Sequence, residues 1–206
     1  MNDSARGQGE TAEASAATLL RRGRLLEWLT LCWNIVGVVV LAVLAVISSS
    51  VALAGFGLDS LIEIGASTVV LWELSGSGES RQRRALRMIG IAFAALAVYL
   101  LVQSTAALVS QHHASPNLAG ILWTAVTALV MFTLAEGKRR TGRALGNPVL
   151  ITEGRVTFID GLLAAAVLTG LTLDQTLGWW WADPLAGYVI VYYAVREAAE
   201  IFRPKQ

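Results

Sequence analysis

Charged and polar residues divide this chain into six apolar runs of about 20 residues, each long enough to cross a hydrocarbon core roughly 30 Å thick. They are read at Leu25 to Ser48, Val51 to Leu74, Ala85 to Ser110, Asn117 to Ala135, Val149 to Leu171 and Trp181 to Phe202. The composition fits: 55% of the 206 residues are hydrophobic and 15% are charged, where soluble domains carry about a quarter charged. Mean hydropathy is +0.58. The expected fold class is an all-α membrane protein, a six-transmembrane-helix bundle with membrane lipid as its solvent.

Basic residues set the expected orientation. Arg21, Arg22 and Arg24 precede the first run; Arg81, Arg83, Arg84 and Arg87 lie between the second and third. Lys138, Arg139, Arg140 and Arg143 follow the fourth, and Arg196, Arg203 and Lys205 close the chain. The connections 48–50, 111–116 and 172–180 hold no Lys or Arg. This alternation is the positive-inside pattern and predicts both termini cytoplasmic. Residues 1–20, rich in Ala, Gly, Ser and Glu, read as a disordered cytoplasmic tail with no signal-peptide core, and 21–206 as the six-span domain.

Several function classes fall away. The Arg clusters hug membrane faces without interleaved aromatics and net charge is +1, so no nucleic-acid partner is expected. A single cysteine, Cys32, excludes a disulfide framework and reads as a packing residue within its apolar run. No nucleophile triad, phosphate-binding Gly loop or dinucleotide fingerprint occurs, so no enzyme is expected. Gly76-Ser-Gly78 reads as a flexible connection.

The chemistry lies in acids inside the runs. Asp59 and Glu63 stand four residues apart in the second run, on one helix face about 6 Å apart. A carboxylate at bilayer centre costs roughly 2.5–3.5 kcal/mol, so two on one face need a compensating partner. Asp160 in the fifth run falls roughly 16 Å deep, against about 12 and 18 Å for Asp59 and Glu63 counted from the opposite face. Three carboxylates at one level, from antiparallel helices, suit an oxygen-rich divalent cation site. Unloaded they repel, so the site is expected to take up protons when empty and release them to metal.

Other polar residues are read against blander roles. Glu153, two turns before Asp160, reads as a cytoplasmic gateway carboxylate or as an interfacial residue whose head reaches water. Arg155 is expected to snorkel or to pair with Glu153 or Glu136. Asn34 reads as an accessory oxygen ligand or as helix glue. His112 and His113 read as a solvated external loop. Trp179, Trp180 and Trp181 suit the headgroup belt, with Asp183 as N-cap and Pro184 at the first helical position.

Taken together, six runs with both ends inside, Ser50-Val-Ala-Leu53 leading into Asp59-Ser-Leu-Ile-Glu63, an Asp in mid-span five and Trp180-Trp-Ala-Asp-Pro-Leu185 resemble the cation diffusion facilitator family. The resemblance covers about Leu25 to Phe202. It implies a divalent metal cation/proton antiporter acting as a homodimer, with metal ligands at Asp59, Glu63 and Asp160. The chain departs from the family pattern at Val156, which stands where the family has His, and at Glu63, where Asp is usual. An all-oxygen ligand set shifts the expected ion from zinc toward manganese, ferrous iron or magnesium. Zinc is retained if water, Glu153 or Asn34 completes the shell. A further expectation is that the C-terminal cytoplasmic metal-sensing domain is absent, since only Arg203-Pro-Lys-Gln206 follows the last run.

The function expected is a secondary transporter exporting a divalent cation of the zinc, manganese or iron class from the cytoplasm in exchange for protons, in a bacterial inner membrane. The rivals are a non-transporting, metal-responsive membrane interaction protein and a proton-coupled exporter of organic cations.

Overall fold

A computed structural model describes residues 2–48, 51–76, 78–111 and 118–203, with side chains described from residue 14 onward except at 48, 51, 52, 54, 55, 182, 183, 186, 189 and 190. The elements are α1 (Asn2–Ser48), α2 (Val51–Leu74), α3 (Glu79–Ser110), α4 (Leu118–Leu145), α5 (Pro148–Leu177) and α6 (Ala182–Phe202), and no strand occurs among the described residues. Each apolar run read from the sequence corresponds to one helix, with Trp181 capping α6 and Asn117 outside the described residues. Among the described residues, α1 over Ala14–Ile47, α3, α4 and α5 are long and apolar enough to cross a membrane.

The helices outrun their apolar runs because hydropathy locates lipid contact and not the helix itself. α4 continues ten residues past Ala135 through Lys138 and three arginines, all strong helix formers. The same physics corrects the reading of residues 1–20 as a disordered tail: α1 begins at Asn2. Ala5, Ala12, Ala14, Ala16 and Ala17 have the highest helix propensity, and a helix already nucleated downstream extends through them without a new nucleus.

α4 packs along α5, α1 along α2 and α3 along α6, while α5 also meets α2, α3 and α6 and so lies at the centre. Close approach of α4 and α5 depends on glycine. A Cβ at Gly154 would stand 2.7 Å from Arg139 Cγ and 3.0 Å from the Ala135 carbonyl oxygen, and one at Gly161 would stand 3.0 Å from the Phe132 ring. With lipid as apolar as the side chains it replaces, such backbone approach is the main source of helix association. Asn147 fixes where α5 starts: its side chain accepts from Val149 N at 2.9 Å and Leu150 N at 3.0 Å, with Pro148 at the first helical position, as an N-cap requires.

The outer surface is apolar, with Val36, Val39, Val43, Ile91, Val98, Val102, Leu122 and Leu129 exposed, whereas Glu27, Asp59, Glu63, Lys138, Glu153 and Asp160 are buried. This inversion of the soluble pattern suits a lipid surround. Cys32 belongs to the exposed face, correcting its reading as a packing residue. The buried stripe of α1 runs Gly23, Glu27, Thr30, Asn34, Gly37, Leu41, and position 32 lies off it.

At the start of α6 the cap differs from expectation. Trp181 is the N-cap, without a side-chain cap bond, and Asp183 and Pro184 lie inside the first turn. Proline is tolerated there because the first N–H groups of a helix have no internal partner. Trp179 and Trp181 stack with ring centroids 5.3 Å apart. Gly78, at φ 125°, precedes α3 in a conformation that L side chains rarely adopt, so the residue read as flexible supplies a defined turn. His112 and His113 lie outside the described residues.

Candidate functional site

α2 and α5 run antiparallel, and their polar residues pair in register. At one end the Asn147 amide donates to Glu73 Oε2 at 3.2 Å. Six residues back along α2 and six forward along α5, the Ser67 hydroxyl donates to Glu153 Oε1 at 3.4 Å. Four further on each helix, the Thr157 hydroxyl donates to Glu63 Oε1 at 2.7 Å. The next step along each helix brings the carboxyl groups of Asp59 and Asp160 together, roughly 20 Å from the Asn147 end at 1.5 Å per residue. The level predicted for these two acids from hydropathy alone is thus realised as a side-chain contact.

That last pair is unlike the others. Asp160 Oδ1 and Oδ2 and Asp59 Oδ2 are buried and, apart from the facing carboxyl of the pair, receive no hydrogen bond from any described residue. Two facing carboxyls in a low dielectric repel unless a proton or a cation lies between them. Glu63, expected to complete the site, lies one turn away and is held by Thr157. No group of three or more His, Cys, Asp or Glu side chains is gathered as a metal cradle among the described residues. The structure therefore brings Asp59 and Asp160 together and leaves Glu63 beside them on a separate partner.

Sequence reasoning missed a buried cation. Lys138, grouped above with the connecting arginines, is fully buried. Its Nζ stands 3.0 Å from Glu27 Oε2 and 3.2 Å from Glu153 Oε1, and donates to Thr157 Oγ1 at 2.9 Å. The Glu153 head is consequently buried and not in water, and it pairs with Lys138 in place of Arg155. Arg155 pairs instead with Glu197 and, at 3.9 Å, with Glu200 of α6, because it projects from the side of α5 facing that helix.

A signal for this cluster does exist in the sequence. Thr124, Thr127, Met131, Leu134, Lys138 and Thr141 form the buried stripe of α4, spaced three and four apart as one helix face requires, and Glu27 falls on the equivalent stripe of α1. Asn34 is also on that stripe, seven residues from Glu27 as Asp160 is from Glu153, which puts it near the level of the Asp pair; its amide donates to Thr30 O at 3.1 Å.

An all-α bundle with an apolar exterior and carboxylates facing each other across its central helices is an integral membrane protein with a charged interior. A model of the cation efflux transmembrane domain matches residues 88–205, more than half of the chain, from α3 through α6. The chain belongs to that family of metal cation transporters, the one its sequence resembles. Asp160 lies within the matched residues and Asp59 and Glu63 precede them. Among curated proteins, the chain is similar to Transmembrane protein 163 of Xenopus laevis, at 21% identity over 82% of this chain and 64% of that protein. The chain thus spans less than two thirds of that relative's length.

Proposed function

We propose that this chain moves a divalent metal cation across the membrane, with all six helices spanning and both termini cytoplasmic, and that Asp59 and Asp160 bind the ion with Glu63 joining from one turn away. The observation that carries this reading is the Asp59–Asp160 pair, whose buried oxygens have no donor among the described residues apart from each other. A dication compensates two facing carboxylates and takes several short oxygen contacts, which a hydrogen-bond donor on a neighbouring helix does not. Transport is outward from the cytoplasm, and protons return on the same carboxyls when the ion leaves. With Val156 unable to ligate, the ligand set is all oxygen and favours manganese, ferrous iron or magnesium, while zinc is accommodated if water or Asn34 contributes; Glu153, held by Lys138, does not reach the ion. The working unit is a homodimer in a bacterial inner membrane.

Calorimetric titration of the detergent-purified protein with Mn²⁺ tests the site. Wild type should bind one ion per chain, and Asp160→Asn should weaken binding at least tenfold. Unchanged affinity in that variant removes Asp160 from the site.

The cage around Lys138 favours a second reading. Carboxylate and hydroxyl oxygens that solvate an ammonium inside the bundle suit a proton-coupled exporter of organic cations. Displacement of bound Mn²⁺ by a lipophilic ammonium would favour that reading, and failure of displacement the first.

A further inference from the structure

We infer that Glu27, Glu153 and Thr157 form a second cation site, distinct from the Asp59–Asp160 pair, and that the ammonium of Lys138 is its resident, tethered occupant. Glu27 Oε2, Glu153 Oε1 and Thr157 Oγ1 converge on Nζ at 3.0, 3.2 and 2.9 Å. They come from two helices, α1 and two successive turns of α5, face Lys138 of α4, and match in number the three donors of an ammonium. Two of these oxygens belong to carboxylates that are fully buried. The lysine does not exhaust them: Glu153 Oε2 is buried and receives no hydrogen bond from any described residue, and the Glu27 carboxylate has, besides Lys138, the Ser67 hydroxyl beside it. An untethered cation placed where Nζ lies would meet those same oxygens, and small shifts bring them to the 2.3–2.6 Å of an oxygen-ligated divalent ion.

The location gives the tether a consequence. Thr157 touches both Lys138 and Glu63, so the ammonium stands between the Asp pair and the Asn147 end of the α2–α5 face. A free ion moving along that face meets a fixed like charge, which confines binding to the Asp pair and keeps the inner acids closed to a second ion. Lys138 is a positioning and specificity residue that contacts no transported ion.

Lys138→Gln tests this, with Mn²⁺ as the probe and stoichiometry per chain as the readout. The variant should bind one more Mn²⁺ than wild type; adding Glu27→Gln should remove the extra ion, and Lys138→Arg, which keeps the tethered charge, should match wild type. The increment separates this site from the Asp pair. If the Asp pair binds nothing, wild type takes no ion and Lys138→Gln takes one; if both hold, Lys138→Gln with Asp160→Asn still takes one. No increment in a folded Lys138→Gln protein overturns the inference. Should that variant fold only when Mn²⁺ is supplied, the dependence is the expected result and Glu27→Gln must abolish it. A variant that stays unfolded in millimolar Mn²⁺ overturns it as well.

Discussion

At the scale of single residues, the interior is governed by which carboxylates have a cation and which do not. Lys138 pairs with both Glu27 and Glu153, and removing one member of a buried ion network leaves unpaired charge, costing about 3–5 kcal/mol. Lys138→Met should therefore lower unfolding free energy by about that amount in metal-free detergent solution, measured by denaturant titration. A loss within about 0.5 kcal/mol, the usual range for a surface substitution, would contradict the network. The Asp59–Asp160 pair should behave in the opposite sense. Two buried carboxyls with only each other as partner destabilise the empty protein, so Asp59→Asn, which supplies an amide donor to Asp160, should raise the metal-free melting temperature while abolishing stabilisation by Mn²⁺. A fall in that temperature would show that the pair is already compensated.

The same residues show what can be read from a sequence. Asp59, Glu63 and Asp160 stood out because each is an acid inside an apolar run, where the cost is high and the alternatives few. Lys138 did not, because it follows the hydropathic limit of its run and belongs to a basic cluster that the positive-inside pattern already explains. Only its register with Thr127, Met131 and Leu134 separates it from Arg139 and Arg140, one and two residues on, and register matters only once the buried face of α4 is known.

Among elements, antiparallel α2 and α5 act as one unit because matching steps along each helix, six and six, four and four, then four and three, keep polar partners level from Asn147 to Asp160. Helix boundaries decide that register, and Asn147 sets one of them. Its side chain caps α5 and also donates to Glu73 of α2. Asn147→Ala should cost about 1 kcal/mol for the lost cap, with a further loss from the freed Glu73, read as a lower melting temperature with ion selectivity unchanged. Gly154 and Gly161 hold α4 against α5, so Gly161→Leu should separate the two helices and take Lys138 away from Glu153. Its predicted signature is impaired folding, with partial recovery when Phe132 is also reduced to Ala. The existence of these helices was legible from apolar length alone. Their pairing was not, since it is carried by glycines and by side chains common in any bundle.

For the whole molecule, an apolar exterior surrounds an interior that holds Glu27, Asp59, Glu63, Glu153 and Asp160 with Lys138, and the proposed transport places one mobile cation at the Asp59–Asp160 level. Exchange predicts that Mn²⁺ binding releases protons, so the apparent binding enthalpy should vary linearly with the ionisation heat of the buffer. An enthalpy identical in all buffers would leave binding intact and remove proton coupling.

The most direct test of transport through this pair is Mn²⁺ uptake into proteoliposomes under an imposed pH gradient, comparing wild type with Asp160→Asn at equal protein density. The account predicts gradient-driven uptake by wild type that falls to the protein-free leak in the variant. Uptake by Asp160→Asn at the wild-type rate, or no uptake by a wild-type protein that binds Mn²⁺, would contradict it.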